Sequence, residues 1–316
     1  MSRITSFLRA RPWAWSFIAA AAVWLATVAY TGGQGAGEIL TAALSFATFA
    51  IIVGLGQMMV ISTGPGNVDL SIPATITLSG VVAMKVMDTD SSRMLIGIVA
   101  ALACALAVGV FNFVLIRLLR IPPIIATLSS SFLVLSTAIS YGRGIRIKPP
   151  PPLADFATAR IAGIPIAAVF VLLITVLIAF ALRRTFYGRS VLAVGQNERA
   201  AWLAGISVDR TRFITYVLSA LLSGVCGIVL SGFSGGAALN MGEDFLLSSI
   251  AVVVIGGTSV AGGRASVPGI WGAALFMFLL VTMLNTFGAS AGLRFMLTGL
   301  IIITVIVLAG GEKESR

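Results

Sequence analysis

Long apolar runs fill most of this chain, and they constrain its fold more than any other feature. About ten runs are present, at residues 13–30, 39–63, 70–86, 94–116, 121–141, 164–182, 213–232, 245–262, 266–287 and 293–309. A helix crosses the roughly 30 Å core of a bilayer with about 20 apolar residues, so each run is long enough to span or nearly span it. Only 10% of the residues are charged, against about 25% in a typical soluble domain. The sequence therefore predicts an all-α polytopic membrane protein of about ten transmembrane helices.

The basic residues predict how the chain is oriented. With an inside N-terminus and ten spans, fourteen lysines and arginines fall in inner segments and six in outer ones. Because cytoplasmic loops carry the excess of positive charge, both termini are predicted to be cytoplasmic. The first run follows three arginines, as in a signal peptide, but its length exceeds the usual core of roughly 7–15 residues and indicates an uncleaved anchor. The net charge of +10 thus fits topology and membrane lipid, and no nucleic-acid partner is expected.

Several missing residue types narrow the function. The chain has no histidine, the commonest general base and metal ligand. It also has no phosphate-binding Gly-x-x-x-x-Gly-Lys-Ser/Thr loop, so an ATPase site of its own is not expected. An ion-coupled carrier needs acidic residues inside its spans. In this sequence Asp69 is the one candidate, and Glu243 and Asp244 lie at the edge of another span. We expect a chain that is not an enzyme, holds no metal or cofactor, and takes its energy from elsewhere.

The longest polar interruption, residues 183–212, is predicted to be a cytoplasmic loop. Within it, Asn197 is a good N-cap, Glu198 suits the first turn, and Gly205 favours a left-handed stop. They enclose a two-turn helix that is too short to be stable alone in water. Such a helix on a basic inner loop is predicted to be gripped by a soluble partner; the alternative is an amphipathic connector lying on the membrane.

Two other features concern the organisation of the chain. The predicted outer loop, residues 142–163, contains Pro149–Pro152, which favour a stiff extended segment. That segment is either a rigid connector or a contact surface for an external partner.

Residues 60–64 and 71–73 are echoed by residues 254–257 and 266–268, which indicates an internal pseudo-repeat of the kind found in transporters.

Four stretches match the motifs of one protein family. They are Val68-Asp69-Leu70-Ser71, Pro122–Leu128, Asn197–Ala201 followed by Ala204-Gly205-Ile206, and Ile250–Thr258 continuing to Gly262-Gly263 and Ser266-Val267. They resemble the Ile-Asp-Leu-Ser, Pro-x-Phe-Ile-Ala-Thr-Leu, cytoplasmic-loop and Ile-Ala-x-Val-Val-Ile-Gly-Gly-Thr-Ser segments of one subunit type. That subunit is the inner-membrane permease of bacterial ATP-binding-cassette importers of the ribose, xylose and galactose type.

The resemblance implies a single permease domain over residues 1–316 that forms the path for a small polar solute, most naturally a monosaccharide. A periplasmic binding protein would deliver the solute, and separate ATPase subunits would bind ATP. A second permease subunit, identical or different, would complete the path. The ATPase-coupling residues would be Asn197, Glu198, Arg199, Ala200, Ala201, Trp202 and Gly205. Alternatives are a nucleoside, a furanosyl signal or an amino acid as cargo, or an ion-coupled secondary carrier.

Five polar residues in or beside the spans are candidates for the pathway or its gate: Gln57, Asn67, Asp69, Asn112 and Asn285. For Asn67 and Asp69 the alternative is a pair that caps a helix start. For the other three the alternative is hydrogen bonding between helices. The sequence Gly64-Pro65-Gly66-Asn67 departs from the family pattern and predicts a broken helix or re-entrant turn.

Overall fold

The computed structural model describes residues 13–290 continuously, together with positions 292, 293, 296, 297, 299, 300, 303 and 304. Both termini and most of the predicted run 293–309 lie outside the described residues. The helices are α1 Ala14–Tyr30, α2 Ala36–Ile61, α3 Ile72–Met87, α4 Met94–Leu118, α5 Pro123–Gly142, α6 Pro151–Thr158, α7 Ile166–Arg184, α8 Phe186–Gln196, α9 Glu198–Leu203, α10 Val208–Phe233, α11 Phe245–Ile255 and α12 Val267–Thr286. A short 3₁₀ turn, Ser91–Arg93, precedes α4, and strands β1 Arg160–Ile161 and β2 Ile164–Pro165 pair antiparallel.

The structure confirms an all-α polytopic architecture. Among the residues that the structure describes, six helices are long and apolar enough to cross a membrane: α2, α4, α5, α7, α10 and α12. Helices α1, α3 and α11 are apolar but shorter. Each predicted run from 13–30 to 266–287 therefore overlaps one of these helices.

Helix α2 forms the centre of the bundle. Every residue from 47 to 61 is buried, and the helix packs against α7, α10, α11 and α12. Small residues allow this close packing, as where Gly56 lies against the backbone of Ser219 in α10. Helices α4, α5 and α7 instead leave large apolar side chains such as Leu95, Phe132 and Leu177 exposed. These outer helices therefore present the surface expected to face lipid.

Three boundaries differ from the sequence predictions. The prolines do not form a wholly extended segment, because Pro151 and Pro152 open α6. Proline is tolerated in the first helical turn, where the amide it lacks would be unpaired anyway. The run 245–262 forms a helix only to Ile255, and positive φ angles at Gly257, Gly262 and Gly263 mark the break that follows. Helix α10 begins at Val208, earlier than the predicted residue 213. Its N-cap is Ser207, whose hydroxyl accepts a hydrogen bond from the Arg210 amide at 3.4 Å.

The predicted break after α2 is confirmed. The helix ends at Ile61, and α3 begins at Ile72, with ten residues between them. Gly64 and Gly66 adopt φ angles of +127° and +75°, which residues with a side chain rarely adopt. We call residues 62–71 the first break and residues 256–266, between α11 and α12, the second break.

Candidate functional site

The short helix α9 forms as the sequence predicts. The Asn197 side chain accepts a hydrogen bond from the Ala200 amide at 2.9 Å, and Glu198 lies in the first turn. At the other end, the Ile206 amide donates to the Ala201 carbonyl at 3.0 Å and the Gly205 amide to the Trp202 carbonyl at 2.9 Å. With Gly205 at a φ of +82°, this is a Schellman motif that satisfies the last carbonyls of the helix.

Helix α9 has an inner and an outer face. Ala201 is only 4% exposed and packs with Val194 and Val208. Ala201, one of the predicted coupling residues, therefore anchors the helix to the chain itself. Trp202 is 66% exposed and Leu203 71% exposed. These large apolar side chains point away from the fold, and Arg199 and Ala200 are also exposed.

Two ion pairs link helices at this end of the bundle. Arg212 in α10 donates Nη1–H to Glu198 Oε1 at 3.2 Å and Nη2–H to Oε2 at 2.7 Å, which ties α9 to α10. Arg117 in α4 approaches the Asp209 carboxylate of α10 at 2.7 Å. Sequence reasoning missed both pairs, and their only signal was opposite charge in neighbouring polar segments. A groove of about 420 Å³ lies beside α9, lined by Glu198, Arg199, Trp202, Val208 and Asp209.

We expect Glu198→Gln to change stability little. The Glu198 side chain is 56% exposed, and surface ion pairs typically contribute about 0–1 kcal/mol. The free energy of unfolding should therefore fall by less than about 1 kcal/mol, measured from the thermal unfolding of the purified protein in detergent. Glu38→Gln, at an exposed site at the start of α2, is the matched control. A large loss of stability from Glu198→Gln alone would contradict the interpretation of Glu198–Arg212 as a surface ion pair.

A buried polar cluster surrounds the first break. Asp69 is 1% exposed, and its Oδ1 accepts the Ser71 amide at 3.0 Å and the Ser71 hydroxyl at 2.6 Å. Its Oδ2 accepts the hydroxyl of Ser219, in α10, at 2.8 Å. The Asp69 amide in turn donates to Gln57 Oε1, in α2, at 3.2 Å. One carboxylate therefore connects the first break to α10, and its backbone connects the break to α2.

The same cluster extends to α4 and α5. Asn112 in α4 donates Nδ2–H to the Ser71 hydroxyl at 2.7 Å and accepts a hydrogen bond from the Ser130 hydroxyl of α5. The Leu70 amide donates to Thr127 Oγ1, also in α5, at 3.0 Å. The members of this polar cluster are Gln57, Asp69, Ser71, Asn112, Thr127, Ser130 and Ser219. It joins four helices to the segment between α2 and α3.

The structure places the five predicted polar residues differently. Gln57, Asp69 and Asn112 meet in the polar cluster. Asn112 of α4 makes a hydrogen bond between helices, since it accepts from the Ser130 hydroxyl of α5, whereas Gln57 of α2 accepts from the Asp69 amide of the first break. Asp69 also caps the amide of Ser71. Asn67 does not act as a cap: its Nδ2 donates to the Gly64 carbonyl at 3.2 Å and its Oδ1 accepts the Tyr216 hydroxyl at 3.4 Å. Asn285 is exposed near the end of α12, so the structure does not bring it into the buried cluster.

Sequence reasoning missed the serines and the threonine of the polar cluster. Ser71, Ser130, Ser219 and Thr127 are all buried, but isolated hydroxyl residues are common in membrane helices and give little signal. Gln57 Nε2 is buried and has no hydrogen-bond partner in the described part of the chain. Among the described residues, no group of three or more histidine, cysteine, aspartate or glutamate side chains is placed to hold a metal ion.

Comparison with known proteins identifies the family. Residues 39–306 match the family model described as "Branched-chain amino acid transport system / permease component". The chain is 32% identical to the ribose import permease protein RbsC of Escherichia coli strain K12, over 83% of this chain and 82% of that protein. No solved structure matched.

Two further relatives have similar coverage. The chain is 31% identical to the autoinducer 2 import system permease protein LsrD of Photorhabdus laumondii, over 81% of this chain and 78% of that protein. It is 30% identical to the fructose import permease protein FrcC of Rhizobium meliloti, over 81% and 73%. Together with the apolar helices, these matches show that the chain belongs to the permease family of ATP-binding-cassette importers, whose multi-pass inner-membrane subunits work with an ATPase and a solute-binding protein.

Proposed function

We propose that this chain forms the translocation path for a monosaccharide and is driven through α9 by separate ATPase subunits, which bind the ATP. The named cargoes of two relatives, ribose and fructose, support the choice of cargo class. The observation that carries the coupling role is the exposure of Trp202 and Leu203 on a helix that is capped at both ends. Aromatic side chains that protrude from a firmly held element are typical anchors of protein interfaces.

The proposed orientation places α9 at the cytoplasmic face and both termini in the cytoplasm. The Arg117–Asp209 and Arg212–Glu198 pairs lie at one end of the bundle, in the arginine-rich segments. At the other end, Lys85 donates to the Tyr141 carbonyl at 2.5 Å and Thr89 to the Lys148 carbonyl at 3.2 Å. The excess of arginine at the α9 end supports its assignment to the cytoplasm. The solute-binding protein then docks at the opposite, periplasmic end, and a second permease subunit completes the path.

The polar cluster is proposed to act in gating. Its hydrogen bonds join α2, α4, α5 and α10 around the first break, so these helices cannot separate without exchanging buried partners. A buried donor or acceptor left unpaired is costly, which favours two discrete arrangements over gradual loosening. ATP-driven movement of α9 would supply the energy to pass between the outward- and inward-facing arrangements. Gln57, Asp69 and Asn112 of the polar cluster, together with the neighbouring Asn67, are the proposed gating residues.

Reconstitution tests the proposed function. The tagged chain is purified in mild detergent, analysed for a copurifying ATPase, and placed in liposomes with its ATPase and binding protein. We expect ATP-dependent uptake of radiolabelled ribose or fructose, and little uptake of leucine. Leucine uptake would instead favour the cargo named by the family description. Uptake driven by a proton or sodium gradient without an ATPase would overturn the proposal in favour of a secondary carrier.

Gly205→Leu is expected to uncouple the importer. A side chain at this φ of +82° costs roughly 1–2 kcal/mol, which the last turn of α9 can relieve by unwinding. We expect normal membrane insertion and continued ATP hydrolysis, but uptake reduced at least about tenfold, because the proposed contact surface is displaced. Gly33→Leu is the matched control, with a φ of +88° in the α1–α2 turn. Equal effects of the two substitutions on uptake would contradict a role specific to α9.

A further inference from the structure

The two breaks, each of which is flanked by residues that echo one another in the sequence, meet in the structure. Residues 60–64 and 71–73 flank the first break, and residues 254–257 and 266–268 flank the second break. The Gly263 amide donates to the Ser62 carbonyl at 3.0 Å. At Gly262, which has a φ of +88°, a Cβ atom would lie 2.5 Å from Gly64 Cα and 2.7 Å from Gly64 N. The two breaks therefore touch backbone to backbone.

A third segment, the end of α8, lies between them. A Cβ atom on Gly195 would overlap both the Ser62 carbonyl oxygen and the Gly263 amide nitrogen. Gln196 donates Nε2–H to the Gly263 carbonyl at 3.4 Å. We call residues 62–64, 195–196 and 262–263 the glycine junction. The next residue after it, Asn197, is the N-cap of α9.

We propose that the glycine junction transmits the movement of α9 to both breaks, with Gly195 and Gly263 as positioning residues of the transport cycle. The inference rests on the proposed function, since it requires that α9 receives the movement of the ATPase. Neither residue contacts the solute in this proposal. Their role is to keep the end of α8 against the two places where membrane helices are interrupted.

The glycine junction can transmit movement because Ser62, Gly195 and Gly263 meet through their backbone atoms. Where backbone meets backbone, no rotatable side chain lies between the segments to absorb a displacement, and packed interiors are stiff. Helix ends are also where hinge motions concentrate. A shift of α8 would therefore be passed directly to the end of α2 and to the loop that leads into α12. The polar cluster occupies the same first break, so the junction connects α9 to the proposed gate.

The conformation at Gly195 makes it a clean test site. Gly195 lies inside α8, where alanine is intrinsically the better helix former. An added methyl group therefore does not strain the local backbone, and any loss reports on the contact with Ser62 and Gly263. A contact that only stabilises the fold would lower the amount of folded protein and leave the solute imported per ATP unchanged. A contact that transmits movement would lower that ratio.

The experiment uses the complete importer in liposomes and measures uptake and ATP hydrolysis in parallel. For Gly195→Ala we expect the ATPase to copurify and to hydrolyse ATP, while solute imported per ATP falls on the order of tenfold. Gly37→Ala is the matched control, a helical glycine whose added Cβ meets no atom within 4 Å. Gln196→Ala removes one hydrogen bond without adding volume and is expected to lower the ratio about two- to fivefold. This second variant keeps the test valid if Gly195→Ala fails to fold.

Two results would overturn the inference. One is an unchanged ratio of uptake to hydrolysis in folded Gly195→Ala. The other, should that variant not fold, is an unchanged ratio in Gln196→Ala. A wild-type complex that imports solute without any ATPase would instead overturn the proposed function, so the two failures are distinguishable.

Discussion

Asp69→Ala is expected to destabilise the folded protein by about 3–5 kcal/mol and to abolish uptake. The substitution leaves the Ser71 amide and the hydroxyls of Ser71 and Ser219 without their acceptor. Each buried group that loses its partner costs about 1–3 kcal/mol. The loss should appear as a lower thermal unfolding temperature in detergent and a lower amount of protein in the membrane.

Two further variants separate stability from gating. Asp69→Asn keeps one acceptor oxygen and should recover part of the stability; if the cluster gates transport, uptake should stay lower than the remaining folded protein explains. Asp155→Ala, at an exposed site in α6, is the matched control and should behave as wild type. Wild-type stability of Asp69→Ala would refute the structural role of the cluster. Full uptake per folded molecule in Asp69→Asn would remove the support for gating.

Trp202→Ala is expected to weaken binding of the ATPase by about 30-fold. Truncating an aromatic anchor at an interface typically costs about 2 kcal/mol or more, and each 1.4 kcal/mol is about tenfold in affinity. Because the side chain is 66% exposed, the unfolding temperature of the isolated chain should not change. Binding is measured by titrating purified ATPase onto the permease in detergent.

Trp15→Ala provides the control for Trp202. Trp15 in α1 is 57% exposed and therefore also loses little packing on truncation. We expect its variant to bind the ATPase as the wild type does. If both variants lose affinity equally, the effect comes from general changes in the detergent-bound surface, and α9 is not the docking site.

Local chemistry explains what the sequence alone could predict. A membrane span is defined by the length and polarity of a run, so all the apolar helices of residues 13–290 were expected. Helix α9 was predicted almost to the residue, because the amide acceptor of Asn197 and the left-handed freedom of Gly205 act over one or two turns. Residues 149–152 show where such rules compete, since proline both stops a preceding helix and starts a following one.

The contacts of the candidate site join residues that lie far apart in the sequence. Gln57, Asp69 and Asn112 stood out as polar residues in apolar surroundings, but Ser219, which binds the Asp69 carboxylate from 150 residues away, did not. Ala201 was predicted as a coupling residue, and only the structure shows that it packs inside against Val194 and Val208. The sequence determined which segments enter the membrane and where the short helix begins and ends, because solvation and capping depend on neighbouring residues. Only the tertiary structure decided that Gly195, Ser62 and Gly263 touch, because the close approach of three backbones depends on how distant helices pack.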